Sequence, residues 1–197
     1  MPFVEPPEHG VEAMLDLETL GTEPFCPILT IGACRFEAGP MQPMEPFYQA
    51  VRLDSCLALG MKPSASTIDW WMRQSKEAQD AAFRDPDAVD LPEALDRFTT
   101  WLNARPDNLW GNSARFDIGI LAAAYKVCGK EVSWDHWREM DYRCLKNLPG
   151  MAQFRLKRAG THHNALDDAV SQAHHCRAML IHLKDQAARA PIPVALP

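Results

Sequence analysis

The sequence has no apolar run approaching the length of a membrane span, and its opening MPFVEPPEHG carries neither the basic residues nor the hydrophobic stretch of a secretory leader. A cytoplasmic protein is the expectation. Its six cysteines, Cys26, Cys34, Cys56, Cys128, Cys144 and Cys176, include no C-x-x-C pair. That argues against a disulfide frame or a zinc site and for reduced, mostly buried small hydrophobes. A basic surplus is missing too, since the net charge is -6. This excludes a protein that coats long nucleic acid through a general positive surface, but not an enzyme that grips a few nucleotides. Internal repeats, low-complexity tracts and interdomain linkers are also lacking.

What is present suits one domain with a sizeable core: 197 residues, 47% of them hydrophobic. Residues 1–10 read as a proline-bearing arm and 11–189 as the domain. Residues 190–197, APIPVALP, form a tail in which Pro191 and Pro193 stop the preceding helix. Charge is uneven along the chain. Between Arg138 and Arg158 stand six basic residues (Arg138, Arg143, Lys146, Arg155, Lys157, Arg158) against Glu139 and Asp141, so this segment is +4 and the remainder -10. It is either a solvated face or a contact for an anionic partner.

Residues 11 to 17, 28 to 37 and 46 to 53 are β-like runs separated by turn-rich stretches, and such short connections favour an antiparallel meander. Beyond them the period becomes helical. SASTIDWWMRQSKEAQDAAF begins on serine, and LPEALDRFTTWLNA sets Pro92 in a first turn with Leu91, Leu95, Phe98 and Leu102 along one stripe. DNLWG reads as a short strand, followed by a helix from about Ala114 to Cys128 ending near Gly129, and a long helix from about Asn164 to Ala188 closes the domain. The expected class is α/β, a mixed sheet of an antiparallel three-strand meander plus parallel strands, flanked by helices.

Within AMLDLETLGT, Asp16 and Glu18 stand one residue apart near the end of an apolar run. Residues two apart on a strand point the same way, with Cα atoms roughly 6.5 Å apart, so both can reach one site while Leu15 and Leu17 face the core. Such a pair alone is weak, since a solvent-facing alternation explains most of them. In LWGNSARFDIGILAAAY, Asp117 lies among apolar neighbours that pack inward, so it is either exposed or held by a strong partner. THHNALDDAVSQAHH places two histidines before a helix and Asp167 and Asp168 in its first turns. Each aspartate has a histidine five residues before it, so spacing does not choose between His162 with Asp167 and His163 with Asp168. Four converging carboxylates would repel one another. Divalent cations remove that objection, and oxygen-only ligands suit magnesium or manganese. Two such ions about 3.5 to 4 Å apart can activate a water and stabilise the leaving oxygen of a phosphodiester. A neutral histidine could take the water's proton.

Together, LDLET, GNSARFD and HNALDDA resemble, in order, the three motifs of the DEDD superfamily of 3′-5′ exonucleases in its histidine-bearing DEDDh branch, and they span residues 14 to 169. The resemblance implies that Asp16, Glu18, Asp117 and Asp168 are ligands of two Mg2+ or Mn2+ ions and that His163 is the general base. The family's H-x-A-x-x-D pattern fits from His163, with Ala165 in the alanine position; starting from His162 would put Asn164 there. LETLGT, STIDWWMRQS and HNALDDAVSQA further resemble the subgroup of exonuclease VIII-like domains and the adenosine-specific exoribonuclease. For that subgroup the implied fold is ribonuclease H-like, the implied assembly a homodimer, and the implied substrate a single-stranded 3′ end, with RNA slightly favoured over DNA. Thr19 and Leu20 would lie beside the terminal nucleotide, Leu20 as an apolar wedge. Asn112, in the second motif, is a further candidate contact.

Trp70 and Trp71 face directions about 100° apart on a helix, so one would be core and the other free to stack on a base. Gln74, one turn on, could read a base edge. In the basic segment, Arg143, with Lys146, Arg155 or Arg158, could meet the incoming backbone. His174 and His175 read as surface or dimer-contact residues and Cys176 as core. A non-catalytic nucleic-acid binding module and a polymerase proofreading subunit are the alternative functions.

Overall fold

The computed structural model describes residues 10–39, 44–102, 108–155, 158 and 160–189. Most of the expected arm and all of the expected tail, residues 1–9 and 190–197, lie outside them. The first three strands are β1 (Val11–Thr19), β2 (Ile28–Glu37) and β3 (Glu45–Ala50). They form the expected antiparallel meander, with Asp16 opposite Gly32 and Gly32 opposite Tyr48. Helices α1 (Leu53–Ala58), α2 (Ala65–Trp71), α3 (Lys76–Phe83) and α4 (Leu91–Leu102) follow. Strand β4 (Asn108–Gly111) then pairs parallel with β1, and β5 (Glu139–Asp141) pairs parallel with β4. Among the described residues the sheet has five strands in the order β3-β2-β1-β4-β5, so β1 is central. Between β4 and β5 lie a single π-helical turn, Ala114–Ile118, and α5 (Gly119–Val127). Helices α6 (Tyr142–Lys146) and α7 (Ala165–Arg189) complete the fold. None of the described helices is long and apolar enough to cross a membrane.

Alternation along β1 divides the core. Ala13, Leu15 and Leu17 pack against Leu91, Leu95, Phe98 and Leu102 of α4 and Ile120, Leu121 and Tyr125 of α5. On the opposite face, Met14 joins Cys34, Phe36 and Trp110 under Ala169, Ala173, Cys176 and Met179 of α7. Each face thus has a helical layer matched to its stripe, as period-two strands and period-3.6 helices require.

The departures from expectation are local. The third run read as strand to residue 53, but β3 ends at Ala50 and Leu53 opens α1. The long helical segment starting at Ser64 breaks between Trp71 and Lys76, where Ser75 caps α3 by accepting from the Ala78 amide at 3.2 Å. Asn164, expected to begin the last helix, instead caps it: its side-chain oxygen accepts from the amides of Leu166 and Asp167, both at 3.1 Å.

Gly32 decides where α7 begins. A Cβ at this position would lie 2.1 Å from the Ala165 carbonyl carbon and 2.3 Å from the Leu166 amide nitrogen. The first turn of α7 therefore rests directly on the β2 backbone, beside Asp16, as a strand glycine at a close approach allows. Gly32→Ala is expected to force these backbones apart at a cost of ~3 kcal/mol. The melting temperature should fall by roughly 6–12 °C. An unchanged thermal melt by circular dichroism would show that the helix can yield at no cost.

Candidate active site

Toward its C-terminal end β1 passes beyond the part of its face that α7 covers. Asp16 and Glu18, on the same face as Met14, therefore border a cleft of about 450 Å3. The opening turns of α7 supply the third carboxylate. Asp168 accepts from the His163 amide at 3.2 Å on one oxygen, and its other oxygen pairs with Arg158. One turn later on the same helical face, Gln172 donates to Asp16 Oδ1 at 2.7 Å. Ligand atoms of Asp16, Glu18 and Asp168 all lie within 4.8 Å of one another.

Asp117 is placed differently. The π-helical turn brings it against β1, where the Leu17 amide donates to one oxygen at 3.3 Å and the Ser113 amide to the other at 3.2 Å. It is buried and does not line the cleft. Of the four carboxylates expected as ligands, three converge directly and the fourth stands within the protein beside them. Asp141 secures this turn, accepting from the Ala114 amide at 3.1 Å and capping α6 through the Cys144 amide at 2.8 Å.

The two histidine-aspartate pairs that spacing left open are separated by the loop before α7. His163 has φ 65° and directs its ring toward the acids, with Nδ1 4.0 Å from Glu18 Oε1. The ring meets Trp70 edge-on at 4.7 Å and His162 at 3.8 Å. Asp168 faces the cleft, whereas Asp167 accepts from the Thr161 amide at 2.7 Å and lines a separate recess with Tyr48 and Arg84. Gly160, at φ 79°, fits against Asp167 because a Cβ there would lie 2.3 Å from its carboxyl carbon. His162 stands exposed at the cleft rim.

Burial and mutual repulsion set the electrostatics. Burial, then the charges of Asp117, Glu18 and Asp168, raises the pKa of Asp16 well above the usual carboxylate range. Glu18 is pushed up to about 8 by burial and then by Asp168 and Asp117. Burial lifts Asp117 to about 7, opposed by its backbone donors. His163 moves the other way: burial and the neighbouring His162 lower it below its ordinary 6.5, so the ring is neutral at pH 7. The protein itself relieves the acids through the Arg158 guanidinium and the Gln172 amide. Asp16, Glu18 and Asp168 form an oxygen-only donor set whose charge these two partners offset only in part, and such a set fits hard divalent cations.

The expected substrate contacts divide between the cleft and the core. Thr19, Trp70 and Asn112 line the cleft. Leu20 does not; it is buried with Leu29, Trp71 and Ala78, drawn into an apolar cluster instead of projecting as a wedge. Trp71 is the core member of the tryptophan pair, and its indole NH donates to the Thr19 carbonyl at 2.9 Å. Gln74 donates to the Trp70 carbonyl at 2.9 Å, and its side chain is not among the cleft residues. Arg143 is exposed on α6 outside the cleft. His175, expected at the surface or in a dimer contact, is half-buried between the Tyr142 hydroxyl at 2.6 Å and the Phe154 carbonyl at 2.8 Å, because its face of α7 packs toward α6. Phe116 and Gln172 line the cleft without having been anticipated, though Gln172 follows Asp168 at the helical spacing that could have revealed it.

A family model described as the 3′-5′ exoribonuclease Rv2179c-like domain matches residues 11–180. No curated protein matches the chain. Among solved structures, the nuclease domain of 3′hExo, a DEDDh family member bound to rAMP, aligns with TM-score 0.58 at 15% identity, over 90% of this chain and 94% of that one. A 3′-exonuclease in a structure of 3′-end specific recognition of histone mRNA stem-loop aligns with TM-score 0.57 at 13% identity, over 91% and 84%. E. coli ExoI in complex with ssDNA aligns with TM-score 0.56 at 15% identity, over 91% of this chain but only 41% of that one. At such identities the likeness is one of fold, and that fold is ribonuclease H-like.

The buried acids predict an unusual pH dependence. Glu18 titrates near 4.5 in an unfolded chain and about 8 in the fold; Asp117 moves from 3.8 to about 7. A raised folded value gives stability that is present below the unfolded value and lost as pH rises through the folded one. In chelator, the melting temperature should therefore decline from pH 4.5 to about 8. Divalent cation should raise it most at the alkaline end. Melts in chelator that stay level across that window would contradict these assignments.

Proposed function

The chain belongs to the 3′-5′ exoribonuclease Rv2179c-like domain family and is a 3′-5′ exonuclease, and we propose that it releases nucleoside 5′-monophosphates from single-stranded 3′ ends, favouring RNA over DNA. The observation that carries this proposal is the convergence of Asp16, Glu18 and Asp168 within 4.8 Å, with the neutral His163 ring beside them. The family's exoribonuclease description supports the RNA preference, as do the rAMP and histone mRNA in two structural neighbours.

Asp16, Glu18 and Asp168 would hold two Mg2+ or Mn2+ ions, and Asp117 would add its charge from behind the cleft wall. When bound, the ions supply charge neutralisation and Lewis acidity for hydrolysis of the terminal phosphodiester. His163 takes the proton of the attacking water on a ring nitrogen, a role its lowered pKa suits. Burial of the Asp168 side chain and its bond from the His163 amide keep base and carboxylate in register. Trp70 lines the cleft, where it would stack on the terminal base, and it supports His163 edge-on. Assembly as a homodimer belongs to the same proposal. The exposed Ile68, Met72 and Phe83 beside an apolar groove on α2 and α3 support it, and light scattering at twice 22.1 kDa would test it.

The decisive experiment incubates 5′-labelled single-stranded RNA and the matching DNA with the protein, with magnesium or chelator. Asp16→Ala and Asp168→Ala should reduce shortening to background while the fold persists. His163→Ala should lose about 10²- to 10⁴-fold. The acid limb of wild-type kcat should lie below pH 6.5. Near-wild-type rates in all three variants would refute the site, and equal rates on both strands would refute the RNA preference.

Trp70→Ala should raise KM about tenfold, the equivalent of one lost base stack. Trp71→Ala should instead lower the melting temperature, since Trp71 is core. A KM unchanged by Trp70→Ala would remove the stacking role.

A further inference from the structure

Arg158 is the one arginine or lysine among the residues described as lining the catalytic cleft. It closes the basic segment of the sequence, yet it is engaged by Asp168, a carboxylate that a cation would need. The pair is asymmetric: the Asp168 side chain is 10% exposed and the Arg158 side chain 47%. The guanidinium thus sits on the solvent side of a buried acid. The His163 amide donates to one Asp168 oxygen and Arg158 holds the other, so a cation bound through that second oxygen must compete with the guanidinium.

We propose that Arg158 exchanges partners, holding Asp168 while the carboxylate cluster lacks cations and turning to a phosphate of the 3′-terminal nucleotide once cations take that carboxylate. The proposal rests on the exonuclease reading of the cleft. A single positive charge cannot match divalent cations for a cluster of three acids, so cation binding displaces the guanidinium. Once displaced, it remains at the cleft wall, fully charged, with a planar fork that fits phosphate oxygens in pairs. Two other cations of the basic segment are placed less well. Lys146 donates to Asn112 Oδ1 at 3.2 Å, and Arg143 lies outside the cleft. The exchange gives an acidic cleft a means of accepting an anion only after its own charge has been neutralised.

Arg158→Gln and Arg158→Lys in the full chain test this. Titration calorimetry with Mn2+ alone, without nucleic acid, should show Arg158→Gln binding the cation about tenfold more tightly than wild type, because the competing guanidinium is gone. In chelator the same variant should melt lower than wild type. With single-stranded RNA and cation, its KM should rise about tenfold with kcat changed less than threefold, and its affinity for a nucleoside 5′-monophosphate should fall to match. Arg158→Lys should keep much of the chelated stability but recover KM only in part, because it restores the charge without the fork. Unchanged Mn2+ affinity, or a KM unmoved by Arg158→Gln, would overturn the exchange. Wild-type protein that binds Mn2+ yet shortens no strand would overturn the exonuclease reading instead, and the Mn2+ comparison would still decide whether Arg158 competes at Asp168.

Discussion

Holding three carboxylates within 4.8 Å of one another is the condition around which the rest of this structure is arranged. Like charges at that distance in a partly desolvated wall oppose folding, and the raised pKa values of Asp16 and Glu18 register the opposition. The fold meets it with rigidity. Asp16 and Glu18 project from the central strand, whose two faces are each covered by helices. Asp168 projects from a helix seated on the backbone of the adjoining strand at Gly32. A strand at the sheet edge or a longer path to α7 would let the acids drift apart, which is the cheapest escape from their repulsion. The site persists because moving any of these elements would disturb the core as well.

The same logic accounts for what the sequence disclosed. Asp16 and Glu18 were legible because strand periodicity is local: Leu15 and Leu17 declare the buried face, and the acids that alternate with them must share the other. The α4 stripe of Leu91, Leu95, Phe98 and Leu102 was legible for the same reason. The break between α2 and α3 was harder, because Ser75 is an ordinary helical residue until its side chain turns to cap the Ala78 amide. The short strand β5 was hidden within a basic segment, its pairing with β4 fixed by distant partners instead of by its own three residues.

Within the site, spacing could not choose between Asp167 and Asp168, since both begin the same helix and both follow a histidine by five residues. The choice is made by the backbone of the preceding loop. Gly160 and the Thr161 amide engage Asp167 on the outer side, and the left-handed His163 turns its ring inward. Neither constraint has a sequence period. Leu20 illustrates the converse error of relying on position relative to a motif. It follows the Asp16-Glu18 pair immediately, but its apolar side chain finds Leu29, Trp71 and Ala78 close by and is buried with them.

Asp117 shows how one carboxylate can belong to an acidic site without standing on its wall. Its oxygens take amide donors from Leu17 and Ser113, and Leu17 lies between the two acids of β1. The hydrogen bonds that hold Asp117 therefore also fix the strand segment from which Asp16 and Glu18 project. Its charge raises both of their pKa values, increasing the demand for cations that the cleft-lining acids make. Position and electrostatics are thus coupled through a single residue. A neutral amide at 117 could retain an acceptor for the Leu17 amide but would withdraw the charge. The π-helical turn that carries Asp117 is in turn pinned by Asp141, so the anchoring of the site extends from β1 through the turn to β5 and α6.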